Sequence, residues 1–575
     1  MTSNHETDNK VKIWVNKRFY FAKIRSLYFP GWKGDLFVNN GLNEKWLKHY
    51  EPGISACLEY PTITLSEALH QTTAKYPNNT AFIFADKQWT YREFNDLASQ
   101  MANALLSLGL SIGDPVGIYL PNCPQFIISY YGILRSGGIA VPINPLLTGD
   151  DLSFIIKDSG MKVIITCSDL LAPLEQAKVE DLMIISTEIQ DLLSSKSKFP
   201  RPAPHLSFEQ LIHEAPGTDP QVKINHQSVA NLQYTGGTTG RSKGAVLTHA
   251  NLIANTLQFR QWFKNVYEDG DGRFLGVIPF FHIYGLTTSM NGPIISGSSI
   301  ILHSRFDINE IMQSITKYKP NLFMGVPAMY AAIAMRETQE YDLSSIRACV
   351  SGSSSLPPVI QERFEKATGG KLVEGYGLSE SSPIVTVNPI YGTVKPGSIG
   401  IPISDTKVKI VDPDTGEEIS EPGRIGELLV KGPQVMREYW NKPDETELVL
   451  VDGWLHTGDL VHMDEDGYIF VADRLKDMII MGGEKIYPRE LEDFLYTHPA
   501  IKEVAVTGMP HPLRGEVPKA FVVLKEGNAI TEKELRKYCI AHLSRFKVPK
   551  IQIIDALPRN SVGKVLRRLL REEQF

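Results

Sequence analysis

Cysteine, long apolar runs and charge of one sign are all scarce in this chain of 575 residues. The five cysteines are scattered, with no pair at CxxC spacing, so they disfavour a zinc site or a disulfide framework and indicate reduced thiols. No apolar run reaches the roughly 18 residues that a membrane-spanning helix needs, and the opening MTSNHETDNK lacks the apolar stretch of a secretory signal. The net charge of −6 argues against nucleic acid as a partner. These scarcities predict a globular, multidomain protein of the cytoplasm.

What the chain does contain is an alternation of helix-like and strand-like segments. The amphipathic stretch 91–108 alternates with β-branched runs such as 162–166 and 299–302, a pattern typical of an α/β fold with parallel strands. The runs 408–411 and 425–430 are joined by a turn-rich connection, which predicts a smaller antiparallel or barrel-like region.

After residue 473 the pattern changes to a compact α+β run. It predicts helices over 491–496 and 532–543 and strands over 503–507 and 520–524. Charged residues at 473–477 interrupt two apolar runs and mark the predicted boundary. We therefore expect an N-terminal extension over 1–40, a large N-terminal domain of mixed parallel sheets over 41–475, and a small, mobile α+β domain over 476–575.

The most informative segment is YTGGTTGRSKGAVLTH, residues 234–249. Its glycines let backbone N–H groups approach an anion closely, its hydroxyl groups add donors, and Lys243 supplies a point charge suited to phosphate. It is not a Walker loop, because Arg-Ser-Lys follows the last glycine of the TGGTTG run. The segment predicts a phosphate-binding loop over Thr235, Gly236, Gly237, Thr238, Thr239, Gly240 and Lys243.

Two further segments carry residue types suited to a nucleotide. In EGYGLSES (374–381), two glycines flank Tyr376, whose aromatic face suits stacking on adenine, and Glu380 offers a hard carboxylate oxygen suited to Mg²⁺. In GWLHTGD (453–459), Asp459 can accept hydrogen bonds from the two hydroxyls of a ribose. Either segment alone also fits an ordinary surface turn, so the interpretation depends on the whole set of motifs.

Together with PFFHIYG (279–285), DRLKDMIIMGGEKIYPRELE (473–492) and PRNSVGK (558–564), these segments resemble, in order, the motifs of the adenylate-forming superfamily. That superfamily includes acyl-CoA synthetases, aryl-CoA ligases, beetle luciferases and peptide-synthetase adenylation domains. The resemblance runs from about residue 60 to the C-terminus. It implies that the chain joins a carboxylic acid to coenzyme A through an acyl-adenylate, consuming ATP with Mg²⁺.

The resemblance also implies roles for individual residues. Thr235 and Glu380 would hold Mg²⁺, Asp459 with Arg474 would bind the ribose, and Lys564 would be the mobile catalytic lysine. Because a carboxylate is already ionised at neutral pH, His282 would position the acid and would not act as a base. The remaining nucleotide contacts implied are Gly352, Ser353, Gly375, Tyr376, Gly377, Leu378 and Ser379. The acyl site implied is Phe281, His282, Leu286, Gly325, Val326 and Gly377, although SGSSSLP (351–357) departs from the family's commoner SGGAPL form.

A hinge follows from the chemistry of two successive steps. In the first, two anions must meet, and a cationic Lys564 between them offsets their repulsion. In the second, a bulky thiol must attack, so the lysine has to leave. A hinge at Lys476 would let the small domain swing, and Gly482 and Gly483 would then line the coenzyme A passage.

Substrate class is less sharply defined. No acidic residue lies between positions 279 and 290, where peptide-synthetase domains carry an Asp, and WLKHYEPGI (46–54) resembles the start of bacterial long- and medium-chain fatty acyl-CoA synthetases. Leu286 stands where some long-chain enzymes have a gating Trp, so medium-chain acids stay open. The alternatives are a ligase that loads the phosphopantetheine of a carrier protein, an aryl-CoA ligase and a luciferase. A non-catalytic acyl or nucleotide sensor is disfavoured by the full set of motif residues.

The segment 10–33 lies outside the resemblance. It contains seven basic residues, no acidic ones and several aromatic side chains. This composition fits peripheral attachment to an anionic membrane surface, where fatty acids partition, and fits an arm packed on the main domain equally well. An oligomer is compatible with the sequence.

Overall fold

The computed structural model describes residues 44–193, 205–235, 242–337, 339–481, 484–511, 514–559 and 565–572. Across these ranges the chain forms four β-sheets with helices packed around them. The α-helices span Leu65–Lys75, Tyr91–Ser107, Pro124–Arg135, Gly149–Ser159, Leu171–Gln176, Phe208–Glu214, His249–Trp262, Ile283–Gly285, Gly292–Ile295, Ile308–Tyr318, Pro327–Ala334, Pro358–Thr368, Pro443–Val449, Pro488–Tyr496, Glu532–His542 and Arg567–Glu572, with a π-helical turn at Leu286–Asn291 and 3₁₀ turns at Lys45–His49, Ser168–Leu170, Asp191–Leu193 and Ser379–Ser381.

Two large sheets with parallel centres form the main body. In spatial order, the nine-stranded sheet runs Ile401–Pro402, Ile384–Val387, Lys371–Gly377, Ala348–Ser351, Leu322–Gly325, Arg273–Gly276, Ser299–Leu302, Thr80–Phe84 and Lys87–Thr90. The eight-stranded sheet runs Glu438–Tyr439, Gly244–Thr248, Val229–Tyr234, Ile139–Pro142, Pro115–Tyr119, Val163–Cys167, Met183–Thr187 and Leu206–Ser207. Their central strands are apolar and buried on both faces, as parallel sheets covered by helices require.

The predicted antiparallel region forms a third sheet of five strands. Its order is Lys407–Val411, Gly426–Lys431, Trp454–Met463 and Leu450–Val451, with Ile469–Arg474 pairing on Trp454–Met463. Asp459 and Arg474 face each other in this ladder.

A fourth sheet follows directly. It contains Glu484–Ile486, Ile479–Met481, Gly515–Leu524, Ile501–His511 and the parallel strand Lys550–Ile553. Its residues pack into an apolar core of their own with the helices Pro488–Tyr496 and Glu532–His542. The third sheet ends at Arg474 and the fourth begins at Ile479.

Local sequence explains where several elements begin. The helix Tyr91–Ser107, predicted over 91–108, starts with a capping box: the Glu93 amide donates to the Thr90 hydroxyl, and the Thr90 amide donates to the Glu93 carboxylate at 2.8 Å. The strands predicted over 503–507 and 520–524 are longer than expected, Ile501–His511 and Gly515–Leu524. They form one long hairpin whose cross-strand pairing carries each strand beyond its apolar run. Among the described residues no helix combines the length and apolar character needed to cross a membrane.

Candidate active site

The segment 374–381 turns sharply at the end of its strand. A Cβ atom at Gly377 would lie 2.1 Å from the Pro383 carbonyl oxygen, so only glycine fits there. The Leu378 amide donates to the same carbonyl at 3.0 Å, and a 3₁₀ turn, Ser379–Ser381, follows. This turn carries the Glu380 carboxylate to the edge of a cavity.

A buried carboxylate joins two motifs that are far apart in the sequence. The Tyr376 hydroxyl donates to Asp459 Oδ2 at 2.6 Å, and Arg474 Nε lies 3.1 Å from Asp459 Oδ1. Asp459 is 3% exposed. Because each carboxylate oxygen has two acceptor positions, the anchored carboxylate can still accept from a further donor such as a sugar hydroxyl.

Glu380 has a phenolic partner. The Tyr439 hydroxyl donates to Glu380 Oε1 at 2.6 Å, and the Met436 amide donates to the Glu380 carbonyl at 2.7 Å. A cavity of about 150 Å³ lies against Glu380 and Tyr439 and extends to Gly458, the neighbour of Asp459. The candidate metal carboxylate therefore lines a cavity that reaches the residue next to the candidate ribose carboxylate.

Lys243 is the last residue of the predicted phosphate loop and directly precedes the strand Gly244–Thr248. The Thr235 amide donates to the Lys243 carbonyl at 2.9 Å, which closes the base of the loop. The Lys243 ammonium forms an ion pair with Glu445 and lies 5.1 Å from the centre of the Tyr439 ring. The predicted loop residues Gly236, Gly237, Thr238, Thr239 and Gly240 lie outside the described residues.

The donor set suits Mg²⁺. Within the ranges that the structure describes, no group of three or more His, Cys, Asp or Glu side chains forms a cage for a metal. Mg²⁺ is usually held by one or two carboxylates together with substrate phosphates and water. Glu380, oriented by Tyr439 at the cavity edge, offers a carboxylate of this kind.

The predicted acyl region lies at the ends of strands Leu322–Gly325 and Ala348–Ser351. The Tyr284 hydroxyl donates to the Val350 carbonyl at 2.7 Å, and a Cβ atom at Gly352 would lie 3.2 Å from the Tyr284 ring. A Cβ atom at Gly325 would lie 2.8 Å from the Tyr330 ring. The rings of Tyr284 and Tyr330 therefore lie directly against glycine backbone. A side chain at Gly352 or Gly325 would displace the ring beside it.

His282 and its neighbours lie next to this region. The Tyr284 amide donates to His282 Nδ1 at 3.3 Å, and Gln233 Nε2 donates to the Phe281 carbonyl at 2.9 Å. Leu286 is fully buried in the π-helical turn and belongs to the main core, whereas Val326 is half-buried. A contact of Leu286 with an acyl chain would need this core to open, and it stays a prediction.

Charged groups crowd around the predicted hinge. Lys476 is exposed and stands beside the buried Asp477, which Arg571 contacts at 2.8 Å. Burial raises the pKa of Asp473 to about 6, although the backbone amides of Arg489 and Arg474 donate to its carboxylate. Gly482, Gly483 and Lys564 lie outside the described residues.

Sequence reasoning missed three residues of this site. Tyr439 and Glu445 contact the predicted residues Glu380 and Lys243, and Glu374 is a buried carboxyl group in the strand that carries Tyr376. No spacing signals Tyr439 or Glu445. Glu374 is the first residue of the EGYGLSES segment, and its charge in a strand with several apolar residues is a signal that could have identified it.

Comparisons with known proteins place this site in a family. The chain matches the AMP-binding enzyme family over residues 69–440 and the AMP-binding enzyme C-terminal domain over residues 490–564. A long-chain-fatty-acid–CoA ligase of Bacillus subtilis is 45% identical over 552 residues, covering 92% of this chain and 98% of that protein. The crystal structure of the anthranilate CoA ligase AuaEII in complex with anthranoyl-AMP is similar, with a TM-score of 0.79, 29% identity and coverage of 90% and 98%. O-succinylbenzoate coenzyme A synthetase (MenE) from Bacillus subtilis, in complex with ATP and magnesium ion, has a TM-score of 0.76, 29% identity and coverage of 88% and 98%.

The chain therefore belongs to the AMP-binding enzyme family, the adenylate-forming enzymes that its motifs resemble. The predicted α/β fold with a small C-terminal domain is confirmed. So is the prediction of an AMP-forming acid–thiol ligase. The roles of individual residues stay predictions.

Proposed function

We propose that the chain is a fatty-acid–CoA ligase that takes long-chain acids and releases AMP and pyrophosphate. In the first step a carboxylate oxygen attacks the α-phosphorus of ATP, and the bond to the bridging oxygen breaks as pyrophosphate leaves. In the second step the sulfur of coenzyme A attacks the acyl carbon and AMP leaves. The name of the Bacillus subtilis relative supports the substrate class, as does the apolar composition around Phe281 and Val326.

The observation that carries the proposal is the hydrogen bond from Tyr376 to Asp459 beside a cavity that Glu380 lines and that reaches Gly458, the neighbour of Asp459. Tyr376 presents its ring to adenine while its hydroxyl orients Asp459 toward the ribose. Glu380 and Thr235 would hold Mg²⁺, which when bound supplies positive charge between the carboxylate and the triphosphate. Lys243 binds one of the phosphates that leave as pyrophosphate, and His282 orients the fatty acid.

The C-terminal domain takes part in both steps of the proposed reaction. We assign Lys564 to the adenylation step and the hinge to Lys476. A separate apolar core in this domain supports movement as a unit, because few packed side chains then need to separate. Gly482 and Gly483 would face coenzyme A after the swing.

Location and partners follow from the substrate. A cytoplasmic enzyme that meets fatty acids at the membrane gains from a basic, aromatic segment, and we assign this role to residues 10–33. Comparing liposome binding of the full chain with that of a chain lacking residues 1–33 tests it, since equal binding would refute the assignment. The same samples on a sizing column report whether the enzyme forms an oligomer.

The experiment that tests the function is AMP release across a panel of acids. Saturated acids from acetate to palmitate, with benzoate and cinnamate, are incubated with ATP and Mg²⁺, with and without coenzyme A. We expect release that depends on coenzyme A and is greatest on long chains. A maximum on medium chains would correct the chain length, and a maximum on benzoate or cinnamate would refute the fatty-acid assignment. Pyrophosphate exchange without turnover on coenzyme A would point to a carrier-protein acceptor.

A further inference from the structure

Lys243 and Glu380, far apart in the sequence, share one aromatic neighbour. The short strand Glu438–Tyr439 pairs with the edge of Gly244–Thr248, with Tyr439 opposite Ala245. This register places the Tyr439 ring 5.1 Å from the Lys243 ammonium, and the Tyr439 hydroxyl donates to Glu380 Oε1 at 2.6 Å. One side chain therefore contacts both the predicted phosphate lysine and the predicted metal carboxylate.

The helix Pro443–Val449 adds a second anion to this arrangement. The Tyr439 amide donates to the Thr446 hydroxyl at 2.9 Å, which fixes the helix against the short strand. Glu445 of this helix forms the ion pair with Lys243, and both side chains are a little over one-third exposed. The Lys243 ammonium therefore lies between a carboxylate and the face of an aromatic ring, where a negatively charged phosphate would compete with Glu445.

The Tyr439 hydroxyl is a permanent donor. A phenol ordinarily carries its proton at neutral pH, so the Tyr439 hydroxyl donates to the Glu380 carboxylate at 2.6 Å. This hydrogen bond restricts the orientation of the Glu380 side chain, and the carboxylate keeps its negative charge. Partners of this kind, one step removed from a metal, commonly change metal affinity by 10- to 100-fold when they are removed.

We propose that Tyr439 is a positioning residue that orients Glu380 for the metal and Lys243 for phosphate, and that Glu445 competes with the phosphates of ATP for Lys243. The inference rests on the roles given to Lys243 and Glu380 under the proposed function. It adds two residues whose effects differ, since Tyr439 acts on the metal requirement and Glu445 acts on nucleotide affinity.

Two conservative substitutions separate these effects. Tyr439→Phe keeps the ring beside Lys243 and removes only the hydroxyl, so the Mg²⁺ concentration needed for half-maximal nucleotide binding should rise by about tenfold. Glu445→Gln keeps the size of the side chain and removes its charge. Because exposed ion pairs are weak, nucleotide affinity at saturating Mg²⁺ should rise by only about two- to fivefold, with the Mg²⁺ requirement unchanged.

The measurement is calorimetric binding of α,β-methylene-ATP, which involves no turnover, across a series of Mg²⁺ concentrations. Glu447→Gln is the matched control for Glu445, because it removes an equal charge from an exposed position of the same helix. Tyr391→Phe removes an exposed hydroxyl elsewhere. Both controls should bind as the unaltered protein does.

A Tyr439→Phe protein with an unchanged Mg²⁺ requirement would overturn the positioning role. A Glu445→Gln protein with unchanged or weaker nucleotide binding would overturn the competition. Lys243→Met distinguishes these failures from failure of the proposed function. If it lowers nucleotide affinity while the other two variants behave normally, only the present inference is wrong. If it leaves affinity unchanged, the assignment of Lys243 to phosphate is wrong.

Discussion

Replacing Glu374 by Gln should make the protein more stable at alkaline pH and leave it unaffected at acid pH. Glu374 lies in the strand Lys371–Gly377 and is 7% exposed. One carboxyl oxygen accepts from the Leu356 amide at 3.2 Å. Burial raises the pKa of this carboxyl group from its ordinary 4.5 to about 7, and the Leu356 amide and the charge of Arg489 offset only part of the effect.

The sign follows from proton linkage. The folded protein holds the Glu374 proton more tightly than the unfolded chain does, so its contribution to stability is greatest below pH 4.5 and is lost as pH rises toward 7. Since a tenfold change in proton affinity corresponds to about 1.4 kcal/mol, the full loss is at most about 3.5 kcal/mol. Gln has the shape of the protonated acid and can still accept from the Leu356 amide, so it should escape this loss.

Thermal unfolding of both proteins at about pH 5 and about pH 8 measures the difference. We expect a small difference near pH 5, under about 1 kcal/mol, and a clearly higher midpoint for Glu374→Gln near pH 8, where ionised Glu374 costs the unaltered protein about 3 kcal/mol. The control is Glu365→Gln, because Glu365 also accepts from a backbone amide, that of Leu372 at 2.9 Å, but is half-buried. A Glu374→Gln difference of the same size at both pH values would refute the reasoning.

Three further predictions concern the site. Gly377→Ala places a Cβ atom 2.1 Å from the Pro383 carbonyl oxygen and should cost about 1–3 kcal/mol of unfolding free energy, whereas Gly217→Ala, with 3.8 Å to its nearest neighbour, should be neutral by thermal unfolding. Asp459→Asn should weaken ATP binding by roughly 10- to 100-fold in a calorimetric titration, because hydrogen bonds to a charged group contribute about 1.5–3 kcal/mol. Lys564→Ala should slow acyl-adenylate formation by at least about 100-fold in a single-turnover assay, while thioester formation from supplied acyl-adenylate survives.

Each of these has an outcome that contradicts it. Equal stability of the two alanine variants would mean that the turn at Gly377 adapts freely. Unchanged ATP affinity in Asp459→Asn would remove the ribose contact. Equal loss of both half-reactions in Lys564→Ala would indicate damage to the fold or a role in both steps.

Features that depend on neighbouring residues in the chain could be predicted from the sequence. The helix Tyr91–Ser107 follows from its amphipathic period and from Thr90 and Glu93 at its start. The glycines around Tyr376 indicate a close approach of the backbone to another group, and Gly377 occupies a position where a side chain would collide with backbone. The family follows from the order of the motifs.

Contacts between distant segments could not be predicted in this way. Tyr439 reaches Glu380 because a two-residue strand pairs at a sheet edge, and two residues are too few to show a period. Glu445 looks like an ordinary acidic residue in the first turn of a helix, and only the fold brings it to Lys243. The pKa of Glu374 is raised by packing from several segments of the chain, which no single motif encodes.

Isolation of the intermediate tests the central claim most directly. The enzyme is incubated with palmitate, Mg²⁺ and ATP labelled at the α-phosphate, first without coenzyme A and then with it. The account predicts labelled acyl-adenylate on the enzyme, formed with one equivalent of pyrophosphate, which converts to acyl-CoA and labelled AMP when coenzyme A is added. Labelled ADP, or acyl-CoA formed without any labelled acyl-adenylate, would contradict it.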